Sequence, residues 1–284
     1  MAEYKIKDLE TLSGIKAHTI RMWEKRYSLL SPERTETKIR TYTDEDLVKL
    51  LNVAILYESG LKISKIAEFS DKEIQEKVKD IYDNSHSFSA VVSLLVQAMV
   101  EIDCVTFERV LNTTIQKEGL EMVYKNYLFS FLNRIGVLWM VGTITPVQEH
   151  FVSNLIRQKI IVETDKLPIV DKRRIDAVLF TPEGELHEIS LLYYNYILRK
   201  RNYRTLYLGA NLPLTDLKNA LSSTNPKNLI VSMIANISEE CYTDYLKQLI
   251  NEVNLPVFLG GAVVDNYGLP ESEMIFPIQD WIVV

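Results

Sequence analysis

Cysteine is almost missing from this chain: Cys104 and Cys241 are the only two in 284 residues. Thiols so far apart in sequence support neither a disulfide framework nor a cysteine-built metal site, and each is expected as a small buried apolar residue. No apolar run reaches membrane-spanning length without a charge, and the opening MAEYKIKDLE is charged where a secretory signal needs an apolar stretch. The expectation is a soluble cytoplasmic protein with no membrane partner. A basic excess is missing too. The net charge is −6, which argues against indiscriminate nucleic-acid binding. The distribution carries more information than the total: the first 80 residues hold 15 Lys and Arg against 15 Asp and Glu, so the whole acidic excess falls in the remainder. Any nucleic-acid surface must then be a local patch, and Arg21, Lys25, Arg26, Arg34, Lys38 and Arg40 lie within twenty residues of one another. What is plentiful is apolar residue, 47% at a mean hydropathy of −0.02. A chain of this length fits two or three globular domains.

Residues 4–12 carry Ile6, Leu9 and Leu12 at helical spacing, Ser13-Gly14 breaks the run, and residues 16–27 resume it with Ile20, Trp23 and Tyr27 on one face. This is helix-turn-helix spacing. The second helix offers His18, Thr19, Arg21, Met22, Lys25 and Arg26 beside or away from its apolar face, which suits groove and phosphate contacts. Further on, Thr43 and Asp46 make an N-terminal capping box for a third helix. The run TIRMWEKRYSLLSPERTETKIRTYTDEDL resembles the winged helix-turn-helix of the MerR family over roughly the first 75 residues. The resemblance implies that Arg21, Arg26 and Tyr27 belong to the DNA-facing helix. It implies also that Arg34, Arg40 and Tyr42, with Lys38 between them, belong to a wing on the phosphates and minor groove of a double-stranded operator. Family wings carry glycine where this chain has Glu36, Thr37 and Lys38. Metal-sensing relatives place cysteines after the long third helix, and none stands there, so a signal must enter elsewhere.

Residues 76–88, highly charged and ending in Ser85-His86-Ser87, read as a linker, with His86 a solvated linker residue. Residues 89–167 are helical throughout. Leu120, Tyr124, Tyr127, Phe131, Ile135 and Leu138 form one core stripe, and Val91, Leu95, Ala98, Ile102 and Val105 form another, which fits a four-helix bundle. Near its end Thr145, Pro146 and Gln148 supply a cap, a first helical position and a capping box, fixing Glu149 and His150 on the opening turn of the last helix. Trp139 closes the helix before it, so an aromatic plane, a carboxylate and an imidazole gather toward one end. The same residues also describe a tryptophan filling the bundle end beside a surface Glu-His pair.

Residues 174–284 alternate short apolar strands with helices: strands at 175–181, 205–208, 229–234, 257–259 and a closing apolar segment ending at 281–284, helices at 188–201, 214–223 and 238–253. That is a doubly wound, Rossmann-like α/β domain with flavodoxin-like strand order. His187, backed by Glu185, falls between the first strand and its helix, where open α/β sheets bind ligands. Later strand ends carry Gly209, Ser232 and Gly260-Gly261, small residues that let a large flat ligand approach the backbone.

Glu185-x-His187-x-x-Ser190 resembles the cobalamin-binding acidic-x-His-x-x-Gly motif, Ser232-x-Ile234 its downstream serine motif, and Gly260-Gly261 its closing glycine pair. Trp139 with Glu149-His150 resembles the bundle motif of the cobalamin-dependent photoreceptor repressors of the CarH/LitR type. Taken in order, the three-part architecture resembles that family over nearly the whole chain. The resemblance implies a cobalt corrin sandwiched between bundle and α/β domain, with His187 as lower axial ligand to cobalt and Glu185 fixing the imidazole. It places the displaced nucleotide tail past Ser190, Ser232, Gly260 and Gly261, and Trp139, Glu149 and His150 over the upper face. It further implies adenosylcobalamin, with methylcobalamin the other candidate, a homo-oligomer (dimer or tetramer) that represses in the dark, and release of DNA by light. The chain departs from the pattern at Ser190, which stands for glycine and is expected to weaken binding, and at Met140, where relatives have a histidine that caps cobalt after photolysis. A second reading keeps the DNA-binding head and leaves the C-terminal domains to oligomerisation alone. A third, an enzyme working as a corrinoid methyl carrier, is opposed by the head and by the lack of a substrate barrel; the expectation is a regulator, with no catalytic residues.

Overall fold

The computed structural model describes residues 4–34, 40–85, 88–140, 143–235 and 237–282. The chain divides into two compact units, Met1–Leu155 and Ile156–Val284.

The first unit opens with α1 (Ile6–Ser13) and α2 (Ala17–Tyr27). Gly14 ends α1 in the left-handed region at φ +76°, which lets its amide close on the Glu10 carbonyl. Ile20 and Trp23 bury the inner face of α2. A two-stranded antiparallel wing, β1 (Glu33–Arg34) and β2 (Arg40–Thr41), follows. Next comes α3 (Asp44–Glu58), whose capping box is made by Thr43 and Asp46 as the sequence predicts: the Asp46 amide donates to Thr43 Oγ1 at 3.2 Å and the Thr43 amide to Asp46 Oδ2 at 3.1 Å. After α4 (Ile63–Ile66), the stretch read as a linker proves helical in large part: α5 spans Asp71–Ser85. Ile74 and Val78, one turn apart, are buried and dock it against α3, while its charges form a solvated face. His86 lies outside the described residues.

The bundle helices are α6 (Phe88–Val100), α7 (Cys104–Glu118), α8 (Leu120–Val123), running through a π-turn at Tyr124–Leu128 into α9 (Phe129–Met140), and α10 (Pro146–Asp165). The stripe from Leu120 to Leu138 is buried at every predicted position. Phe107 meets Phe131 and Phe151 at centroid distances of 5.9 and 5.8 Å. The other stripe stops at Ala98. Ile102 takes φ +53°, a left-handed conformation costly for a β-branched residue, and it and Val105 are exposed. The head rests on this bundle through α1 and α3 against α6, and Arg134 of α9 donates to the Leu12 carbonyl at 3.2 Å.

The second unit holds β3 (Ala177–Pro182), α11 (Ile189–Lys200), β4 (Thr205–Leu212), α12 (Leu214–Thr224), β5 (Asn228–Ser232), α13 (Glu239–Val253), β6 (Val257–Gly260), α14 (Ala262–Tyr267), β7 (Ile275–Pro277) and α15 (Gln279–Ile282). The sheet is parallel in the order β4-β3-β5-β6-β7, the doubly wound order expected. β3 is buried along its whole length, as a strand covered on both faces must be. Asn225 and Asn254 end α12 and α13 in left-handed conformations. The closing segment differs from expectation: its strand is Ile275–Pro277, and Trp281 lies in α15, packed on Tyr203 and Phe258. The cysteines differ as well. Both are exposed, because each occupies the first turn of a helix (α7 and α13) rather than its packed middle.

Candidate ligand loop and nucleic-acid interface

The loop between β3 and α11 is held from three directions before any ligand is considered. Asn211, at φ +60° near the end of β4, accepts the Gly184 amide on its Oδ1 at 2.8 Å and sends its own amide to the Glu185 carbonyl at 3.1 Å. Thr181 Oγ1 donates to that same carbonyl at 2.5 Å. The Glu185 side chain, only 7% exposed, then reaches across to the end of β5, where the Ile234 and Ala235 amides both donate to Oε2 at 2.6 Å. Its other oxygen takes the His187 amide at 2.8 Å and lies 2.7 Å from His187 Nδ1. Burial pushes the Glu185 pKa up, but hydrogen bonds from the His187 ring and the Ala235, His187 and Ile234 amides outweigh it and hold it at about 2. The carboxylate therefore stays ionised and fixes the imidazole through Nδ1, while the His187 side chain is 59% exposed. With Nδ1 engaged, Nε2 is the ring nitrogen that could take a metal.

Glu188 follows His187 in sequence and is anchored elsewhere. It is buried, accepts Tyr207 Oη at 2.6 Å, and pairs with Arg157 of α10. Burial, then the hydrogen bond to Glu188, raise the Tyr207 pKa. Sequence reasoning missed Glu188 and Asn211. An acid next to His187 and an asparagine after a strand-end glycine were the available signals.

Ser190 opens α11 and is partly exposed. Ser232 ends β5, is wholly buried, and its hydroxyl has no hydrogen-bond partner among the described residues. Gly260 and Gly261 are required by the chain itself rather than by open space for a ligand. A Cβ on Gly260 would lie 2.5 Å from Tyr194 Oη and 2.9 Å from Ile278 Cγ2, and one on Gly261 would lie 2.2 Å from the Met233 carbonyl oxygen, at φ +102°. Gly209 is less confined: a built Cβ would be in ordinary contact with Tyr207 at 3.8 Å and Glu188 at 3.9 Å, and its φ of +84° favours glycine.

In the first unit the predicted Thr145–Gln148 capping box is present: the Thr145 amide donates to Gln148 Oε1 at 3.1 Å and the Gln148 amide to Thr145 Oγ1 at 3.3 Å. His150 Nδ1 lies 2.6 Å from Glu149 Oε2, and the His150 side chain is well exposed. Trp139 and Met140 form the last turn of α9. Val147 and Ile102, which the sequence did not flag as exposed, add apolar surface.

On α2, His18, Arg21, Lys25 and Arg26 are exposed and Thr19 and Tyr27 half-buried. Arg34 and Arg40 are register partners across the wing, and Lys38 lies outside the described residues. Tyr42 is a correction. It is 1% exposed and its hydroxyl donates to Glu24 of α2, which also takes Arg40 Nε at 3.1 Å. Burial, then Glu24, raise its pKa. Tyr42 therefore holds the wing to α2 from inside and is closed to DNA, and Arg40 is committed in part to the same carboxylate.

Among the described residues no group of three or more His, Cys, Asp and Glu could hold a metal ion. A single buttressed imidazole instead suits a metal already carried by a macrocycle, and the orphaned Ser232 hydroxyl fits a polar ligand at the strand ends. Matches to known families give this chain a MerR-type DNA-binding region and a B12-binding domain, the pairing of a transcriptional regulator. Residues 4–73 match the MerR HTH family regulatory protein and residues 91–162 the B12 binding domain. The chain is similar to the HTH-type transcriptional repressor CarH of Myxococcus xanthus, 28% identical over 277 residues, which cover 94% of this chain and 92% of the relative. It is similar also to the repressor CarA of the same organism, 29% identical over 90% of this chain and 86% of that one. The monomethylamine corrinoid protein of Methanosarcina barkeri shares the fold over 67% of this chain and 94% of its own, with a TM-score of 0.53 at 15% identity. No helix among the described residues is long and apolar enough to cross a membrane.

Proposed function

We propose that this chain is a repressor whose assembly and hold on a double-stranded operator are set by cobalamin bound at His187, with adenosylcobalamin the working form and light the signal for release. One observation carries the reading: a buried, ionised Glu185 fixes Nδ1 of an exposed His187 at 2.7 Å, so that Nε2 would be the nitrogen to hold cobalt. When bound, such a cofactor supplies a photolabile cobalt–carbon bond. The protein's part is to bind, orient and report. Glu185 sets the tautomer and direction of His187; Ser190 and Ser232 would meet the displaced tail where it runs past the Gly260-Gly261 backbone; Trp139, Glu149 and His150 would be the further cofactor contacts. Arg21, Lys25 and Arg26 supply phosphate contacts, with His18, Thr19 and Tyr27 beside them. The work is regulatory rather than catalytic, and it ends in a change of oligomeric state.

The test is reconstitution with adenosylcobalamin in the dark, followed by a visible spectrum, sizing chromatography and operator titration, before and after illumination. The expected result is a bound spectrum, a larger species in the dark, and loss of size and DNA affinity on bleaching, all three abolished by His187→Ala. An unchanged size after bleaching refutes the light switch. Regulation intact in His187→Ala refutes the cobalamin gate and leaves the C-terminal domains to oligomerisation alone.

A further inference from the structure

We infer that Tyr194 is a gate over the slot that receives the nucleotide tail, so that this chain discriminates corrinoids by whether they carry one. The inference rests on the cobalamin reading above and adds a residue that the motif does not contain. In the parallel pair β5–β6, Ser232 and Gly260 are register partners, so their side-chain positions share one face of the sheet. Leu229, Val231 and Met233 face the other way, into the core made with α13 and α14. Ser232 and Gly260 therefore face α11, and the distances from Gly260 identify what α11 puts there: Tyr194 Oη at 2.5 Å and Cε2 at 2.9 Å from a built Cβ. The phenol ring lies on the glycine surface, and the strand neighbour of that glycine is Ser232, whose hydroxyl has no hydrogen-bond partner among the described residues.

A buried hydroxyl without a partner marks a place completed by something else. The part of α11 that meets the Gly260 face is the Tyr194 side chain, not backbone. Tyr193 and Tyr196 are buried, but Tyr194 is only partly so, and it stands two turns beyond His187 on the helix that follows the ligand loop. A rotamer change of Tyr194 therefore opens the α11 side of the slot without unfolding the helix, while Ile278, whose Cγ2 lies 2.9 Å from the same built Cβ, stays as its opposite wall. A corrinoid that loses its own base to His187 must lodge a phosphoribosyl base somewhere, and Tyr194 must move first. A corrinoid lacking the nucleotide needs His187 alone.

The test compares binding of hydroxocobalamin and of cobinamide, the same ring without the nucleotide, followed by visible absorbance in the dark. The chains are the full-length parent, Tyr194→Ala, Tyr194→Phe and, to keep apolar filling, Tyr194→Leu. A gate that is closed most of the time lowers apparent affinity by the open fraction, so removing the ring is expected to tighten cobalamin about tenfold and leave cobinamide unchanged. Tyr194→Phe keeps the ring and is expected to behave as the parent. The gate is overturned if both ligands shift equally, if neither shifts, or if cobalamin alone weakens, which would make Tyr194 a tail-binding group. Binding that is lost in His187→Ala but indifferent to Tyr194 removes the gate and keeps the proposed function. No binding of either corrinoid by any of the chains removes both.

Discussion

Replacing Glu185 by alanine tests whether the ligand loop is built by this carboxylate or merely decorated by it. Three backbone amides, those of His187, Ile234 and Ala235, donate to it at 2.6–2.8 Å, along with the His187 ring. A hydrogen bond to a charged acceptor contributes about 1.5–3 kcal/mol, and water recovers part of each loss once the side chain is gone, so the net cost is about 3 kcal/mol. A carboxylate whose pKa falls from 4.5 to about 2 on folding holds about 3 kcal/mol of stability at neutral pH. For an α/β unit of this size that corresponds to a drop in Tm of roughly 10 °C. The assay is thermal unfolding of the ligand-free full-length protein, with amide hydrogen exchange read at Ile234 and Ala235. Both amides should lose protection. Glu185→Gln should fall between, since one end of the amide must set a donor against either the ring or the two backbone N–H groups. Cobalamin affinity should fall about 10- to 100-fold in either variant, the range for losing the partner of a ligating histidine. The reasoning is refuted if Glu185→Ala melts within a degree of the parent and both amides stay protected.

Two further outcomes concern the head. Arg21→Ala and Arg26→Ala should each weaken operator binding and lower the slope of log affinity against log salt by about 1, while thermal stability changes by less than about 0.5 kcal/mol, because both side chains are exposed on α2. Tyr42→Phe should do the reverse: it removes the buried hydroxyl's bond to Glu24 and should cost about 1–3 kcal/mol in thermal unfolding while leaving the salt slope of DNA binding unaltered. A changed slope with unchanged stability would return Tyr42 to the DNA surface.

Where the chain signals structure locally, the sequence reads well. Thr43 with Asp46 and Thr145 with Gln148 are three residues apart, and both boxes close as written. The sheet order follows from the alternation of short apolar runs with amphipathic helices, and His187 falls in the first strand-to-helix loop because that alternation puts it there. What stayed illegible depends on partners distant in sequence or on conformations no residue type announces. Tyr42 finds Glu24 across 18 positions. Gly260 suggests room for a ligand until Tyr194, 66 residues earlier in sequence, proves to lie upon it. Ile102 breaks a regular stripe with a left-handed backbone that glycine or asparagine, not isoleucine, would have advertised. The buried positions of α5 were hidden by the charges around them, since two apolar residues a turn apart suffice to dock a helix whose other faces are wet.

Glu185 and Glu188 stand on either side of His187 and are each anchored to a different part of the sheet, one to the β5 end and one to Tyr207 of β4. The imidazole thus sits on a loop clamped at both shoulders by the protein's own groups. Little ordering entropy is left to spend there on capture, so the arrival of a metal at Nε2 should leave backbone motion in residues 183–188 nearly as it was.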